Sequence, residues 1–277
     1  VGVPAGLRGD PRARVVAVVV GVMGVSSALR GLARRLLGVT RTSTYYLPWL
    51  VRPPVGCLLL VNNIESRFKS EFNRGPFPVA ITQYGADGRI ARHYEVMLAD
   101  PSDTADLELQ AAPGDVGVLT VSGERIFSGS YALLTDGRTY SGTHGRQEYW
   151  DAYPWPARAL QSVLGALLAP VGRTVPAFTR HQYGFVGPES RSYFLLMNLS
   201  NVTNRLRASA DGDGRAALVT LPPHGACLFD VRRIAPPPAD RTTSRHVRLE
   251  GNARFNLYVV GAGPKDLDGA LSLMHVK

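Results

Sequence analysis

The 277 residues include only two cysteines, three lysines and four methionines. Cys57 and Cys227 each sit inside an apolar run, GCLLLV and ACLFDV. Two thiols fall short of the four ligands of a structural zinc site. Buried in such runs, they read as core thiols, with a disulfide between them left open. No GxxxxGK[ST], GxGxxG opening a helix, HExxH, CxxC or GxSxG occurs, so no phosphate loop, zincin, redox or serine-elbow chemistry is written locally. The six histidines, at 93, 144, 181, 224, 246 and 275, include no pair at i, i+2 or i+4. No cofactor and no metal is expected from the sequence.

Long apolar runs are also scarce. The longest, Val15–Leu29, has fifteen uncharged residues, short of the roughly 20 that span a bilayer. Arg12 and Arg14 precede it and Arg30, Arg34 and Arg35 follow. A basic flank, a short apolar stretch and small residues near Ser26–Ala28 fit a signal peptide. Leu29–Leu37 then spaces leucines helically between arginines, as an interfacial helix does. A buried element of the domain, or upstream sequence foreign to the folded protein, would account for the same residues. The expectation is membrane association through residues 12–37 and an exported or membrane-associated protein.

Charge is sparse at 19%, yet the net charge is +9. Its position matters. Residues 1–54 hold eight arginines against Asp10, a surplus of seven, and the remainder carries only +2. A near-neutral body offers no field to a phosphate backbone, so nucleic acid is not an expected partner. Arginine, alanine, glycine and proline enrichment together fits GC-rich bacterial coding.

What is abundant is turn chemistry. There are 29 glycines and 20 prolines. From Tyr45 onward, apolar runs of four to eight residues alternate with Gly, Pro, Asn and Asp, the signature of strands and turns. Expected strands before the midpoint are 57–62, 79–84, 89–98, 106–109, 117–122 and 130–134. Beyond it they are 182–186, 193–199, 205–210, 216–221, 226–231, 246–250, 255–260 and 270–276. Asp87-Gly88 marks a hairpin. Asp211-Gly-Asp-Gly and Pro222-Pro-His-Gly read as turns, and the first lacks the ligands of an EF-hand loop. Between the strand sets, Ala157–Leu168 places Leu160, Val163, Leu164, Leu167 and Leu168 at helical spacing, with Pro156 at its start and Pro170 beyond its end.

The predicted fold is all-β: two tandem immunoglobulin-like sandwich modules joined by a short helix, after a separate basic and apolar segment. The divisions are 1–44 (leader or anchor), 45–156 (first module), 157–179 (helical connector) and 180–277 (second module). LLLVNN (58–63) resembles FLLMNL (194–199), as internal copies would.

The most unusual stretch is Thr135–Pro156, where five of 22 residues are aromatic. Read as a loop, it offers Tyr140, Tyr149, Trp150, Tyr153 and Trp155 for stacking. His144, Arg146, Gln147 and Glu148 would hydrogen-bond. Flat rings beside polar groups suit a sugar, and Tyr and Trp also anchor protein interfaces. A core plug between two sheets is the structural alternative. The expectation is a non-catalytic binding protein with a glycan or protein partner. The alternative is a hydrolase acting on a sugar or ester through His144 with Glu148 or Asp151. Arg180–Tyr183 with Glu189–Arg191 is a second polar-aromatic group expected nearby.

Overall fold

The computed structural model describes residues 38–62, 76–98, 104–112, 114–123, 129–212, 215–263, 267 and 272–275. The signal-like run and the basic helix of residues 12–37 lie outside the described residues. The chain divides into two compact units, residues 1–39 and 40–277. Everything below concerns the second.

That unit is built of antiparallel strands. Before the midpoint they are β1 (Thr40–Leu50), β2 (Gly56–Asn62), β3 (Phe77–Tyr84), β4 (Ile90–Leu98), β5 (Thr104–Glu108), β6 (Val116–Gly123), β7 (Gly129–Thr135), β8 (Tyr140–His144) and β9 (Arg146–Ala152). One helix, α1 (Trp155–Leu168), separates them from β10 (Phe178–Val186), β11 (Arg191–Asn198), β12 (Asn204–Ala210), β13 (Ala216–Leu221), β14 (Ala226–Asp230), β15 (Thr243–Gly251), β16 (Phe255–Ala262) and β17 (Ser272–His275).

All-β architecture is thus as expected. Each expected strand is present, with ends moved by up to four residues. Three strands were not foreseen: β1, β8 and β9. The supposed loop at 140–155 is mostly β8 and β9, joined at the single residue Gly145 and followed by the first turn of α1. Its polar residues misled because half of each strand faces outward. In β9 the pattern from Arg146 leaves Gln147 and Tyr149 exposed and buries Glu148 and Asp151.

Strand ladders keep to either side of α1, with an isolated parallel bridge from Asp151 to Ser200 crossing between them. A five-stranded sheet runs β4-β3-β6-β1-β9 and a four-stranded one β5-β2-β7-β8. The strands after the helix form one eight-stranded sheet, β13-β12-β15-β10-β11-β16-β17, with β14 added on β11. Packing does not respect the same division. β11 reads as an unbroken apolar run, YFLLM, which demands burial on both faces. Its Tyr193, Leu195 and Met197 join Tyr46, Leu47, Trp49, Leu59, Ile81 and Leu119 in one core. Phe194 and Leu196 face the other way, onto Leu206, Ala208, Val247, Leu249 and Phe229. β16 splits likewise, Tyr258 and Val260 to the first core, Leu257 and Val259 to the second. β11 and β16 therefore carry one core on each face.

Local chemistry locks this arrangement. The Trp49 indole N–H donates to the Tyr84 carbonyl at 2.8 Å, across the face of Gly117. Any side chain at Gly117 would strike both the Trp49 ring and that carbonyl, so β6 carries none there. Both cysteines are free, Cys57 buried and Cys227 partly so. Burial pushes each thiol up to about 12, so both stay protonated and inert.

The helix is where expected but docked differently. It buries Ala157 and Gly165, and Gln161 exchanges hydrogen bonds with Asn252 (3.1 and 2.9 Å). Leu160, Val163 and Leu167, three of the residues at helical spacing, are exposed. The docking face is narrow because Gly165 lies hard against the Arg205 guanidinium. Among the described residues no helix is long and apolar enough to cross a membrane.

Candidate functional site

The strand period decides where the candidate residues go. Glu148 and Trp150 share one face of β9, and Gln147 and Tyr149 the other. Asp151 follows Tyr149 onto that outer face but is completely buried. Two arginines cover it. Arg41 Nε of β1 lies 3.1 Å from Asp151 Oδ1, and Arg254 Nε, in the turn before β16, lies 3.3 Å from the same oxygen. β1 pairs with β9 in a register that sets Arg41 directly opposite Asp151.

These two guanidinium groups also flank the Tyr149 ring, 5.6 Å and 5.8 Å from its centroid. Arg254 reaches Phe178 as well, at 5.5 Å. Tyr149 itself is 50% exposed. The result is a half-exposed aromatic ring with two cations in cation–π range.

On the opposite face of β9, Arg146 lies 3.4 Å from Glu148, and the Asn256 amide donates to the same carboxylate oxygen at 3.4 Å. Arg180 of β10 enters this neighbourhood, its Nε donating to the Phe255 carbonyl at 3.2 Å. Burial lowers the Arg180 guanidinium from its ordinary value, against the attraction of Glu148, while Arg254 and Arg146 push the same way as burial. Arg41, Arg146, Arg180 and Arg254 therefore surround Glu148 and Asp151: four cations against two carboxylates.

Trp150 is turned inward. Its ring stacks on His224 at 3.7 Å and 9°, and His224 stacks on Tyr84 at 4.4 Å and 6°. His224 adopts φ 56°, an uncommon left-handed conformation for a residue with a side chain. It is held there by the Pro222–Gly225 turn, whose Gly225 N–H donates to the Pro222 carbonyl at 2.9 Å. That turn meets the β3–β4 hairpin, where Ala226 N–H donates to the Ala86 carbonyl at 3.2 Å. Burial lowers His224 to about 4, so the imidazole is neutral.

The remaining candidates scatter. Tyr140 is exposed on β8, in the four-stranded sheet. His144 ends the same strand, its Nδ1 3.0 Å from the Gly145 carbonyl. Tyr153 is buried, its backbone N–H donating to the Asn201 side chain at 2.8 Å. Trp155 opens α1 and is 72% exposed. The residues brought together are Arg146 with Glu148, and Tyr149 with two arginines that sequence reasoning did not name. Arg41, Arg254 and His224 were missed, because each reaches β9 across more than 70 residues of chain and carries no local motif. Arg180 was noted, and it does approach Glu148, while its neighbours His181 and Tyr183 face outward on β10.

Asn198, which ends β11, is fully buried. Its Nδ2 donates to the carbonyls of Val202 (2.8 Å) and Pro222 (2.7 Å), which fixes the turn that follows. Arg191 pairs with Asp230 at 2.6 Å.

No family model, no curated protein and no solved structure matches this chain.

Proposed function

We propose that this chain is a non-catalytic β-sheet binding protein that takes an acidic glycan on the outer face of β9. The observation that carries this is the half-exposed Tyr149 ring between Arg41 and Arg254. A sugar's apolar CH face stacks on such a ring, while a carboxylate or sulfate suits the planar fork of arginine. On that face two arginines, Arg41 and Arg254, stand against the single carboxylate of Asp151, a surplus that favours an anionic ligand over a neutral one.

This narrows the stacking set expected from sequence. Trp150 already spends its face on His224, and Tyr153 is buried. Exposed Tyr140 and Trp155 stand on other elements, β8 and α1. The hydrolase alternative loses ground because Glu148 and Asp151 face opposite sides of β9, each carboxylate engaged by arginine.

The tandem-module reading of the fold belongs with this proposal. Strand ladders that stay on either side of α1 support two modules. The core shared across them supports two halves acting as one body.

The test is an array of neutral, uronic and sulfated glycans probed with the whole chain. Retention of acidic glycans is expected, weakened at least about tenfold by Tyr149→Ala, roughly 1.4 kcal/mol, and little changed by Tyr149→Phe. Indifference to Tyr149→Ala, a preference for neutral sugars or a protein partner instead would contradict it.

A further inference from the structure

On the outward face of β10 and β15, far in sequence from β9, two histidines meet. The ladder sets His181 opposite Arg248 and His246 opposite Tyr183, so the pair is diagonal across neighbouring strands. His181 Nδ1 lies 3.2 Å from His246 Nε2, and the rings are nearly parallel at 12° with centroids 5.1 Å apart. On its far side, His246 Nδ1 lies 2.6 Å from Asp211 Oδ2, in the turn after β12.

As it stands the pair is hydrogen-bonded, and the same separation suits two ligands of a transition-metal ion. Imidazole nitrogens bind such ions at about 2.0–2.1 Å, so two ligands of one ion at 90–109° stand about 2.9–3.4 Å apart. The observed separation falls inside that interval. A carboxylate on the other ring nitrogen fixes the histidine tautomer and orients its lone pair toward the ion. Asp211 does this to His246, holding the proton on Nδ1 and leaving Nε2 to coordinate. His181 supplies Nδ1 once its own proton moves to Nε2, and both imidazoles coordinate as neutral ligands. The nearby cations do not oppose an ion strongly, because Glu250 accepts from Arg248 at 2.5 Å and faces Arg207 at 3.6 Å.

We propose that His181 and His246, oriented by Asp211, form a surface chelate for one divalent transition-metal ion, with its other coordination positions open to solvent or a ligand. The order of affinities for nitrogen ligands puts Cu²⁺ ahead of Zn²⁺ and Ni²⁺. No local motif announces such a site, since its ligands come from strands 65 residues apart.

The experiment is titration of the intact chain with Cu²⁺, read by electron paramagnetic resonance and calorimetry. One equivalent bound with two imidazole nitrogens in the equatorial plane is expected. His181→Ala and His246→Ala each weaken it about tenfold or more, and Asp211→Asn, which keeps both ligands, weakens it within the roughly 10- to 100-fold range of outer-shell losses. Both histidines lie on the outer face of the sheet, so these variants should keep the wild-type circular dichroism and glycan binding. A spectrum with one or no imidazole nitrogen, or an equivalent that survives in the His181→Ala/His246→Ala double variant, overturns the proposal.

Discussion

His224 is the residue on which the junction between the two halves depends. It reaches from the Pro222–Gly225 turn into a slot between Tyr84 and Trp150, where a flat, uncharged ring fits. Its folded value, about 4, lies below the ordinary 6.5, so the unfolded chain takes up a proton first. Stability is therefore full above about pH 6.5 and is lost as pH falls toward 4. The loss attributable to this group is on the order of 2 kcal/mol, allowing for partial exposure. Urea midpoints at pH 7 and pH 4.5 measure it. His224→Asn, which tolerates the left-handed backbone but cannot be protonated, should show a flatter pH dependence; an unchanged slope would remove His224 as the cause. Asp151 is the second such residue. Wholly buried between Arg41 and Arg254, it leaves their charges uncompensated when removed. Asp151→Ala should cost roughly 3–5 kcal/mol in chemical unfolding, and a loss below 1 would mean that the arginines find water instead.

At the scale of elements, alternation and turn residues made the strands legible. Asp87-Gly88 turns the β3–β4 hairpin with Gly88 at φ 75°, and YFLLM in β11 announces burial on two faces. The strands that escaped notice carry their information elsewhere. β1 begins with exposed polar residues, β8 is small and polar between Tyr140 and His144, and β9 mixes aromatics with charges that only a tertiary partner makes sense of. The candidate site was half legible for the same reason. Tyr149 and Arg146 stood out by composition, whereas Arg254 is brought to β9 by tertiary pairing: Leu199 N–H donates to the Arg254 carbonyl and the Leu199 carbonyl accepts from Asp151 N–H, both at 3.0 Å. Helix α1 shows the limit of periodicity: its leucine stripe is real, but the face that docks is the one bearing Gly165. The contrast is measurable. Leu195→Ala, in β11, should cost about 2–5 kcal/mol, while Leu160→Ser and Leu167→Ser should stay within about 0.5. Comparable losses at both sets would mean that α1 is buried in solution.

For the 40–277 unit as a whole, the informative pattern is the mismatch between pairing and packing. Hydrogen-bonded ladders close within each half, so each half has a self-contained topology. The apolar interior does not, since Tyr193, Leu195, Met197, Ala226, Tyr258, Val260 and Leu273 share one core with residues of β1, β2, β3, β4, β6 and β7. Lifting one half away would expose that face of β11 and β16 to water, at roughly 25 cal/mol for every Å² uncovered. Polar ties cross the same boundary: Arg254 to Asp151, Asn256 to Glu148, and Leu273 N–H to the Ser141 hydroxyl at 2.8 Å. The arginine-flanked Tyr149 lies on this seam, with one cation from each half, so its geometry exists only while the halves stay together. Scanning calorimetry of the intact chain addresses this directly. The halves should melt in one endotherm whose calorimetric and van't Hoff enthalpies agree. Two resolved endotherms, with Leu195→Ala shifting only one, would contradict it.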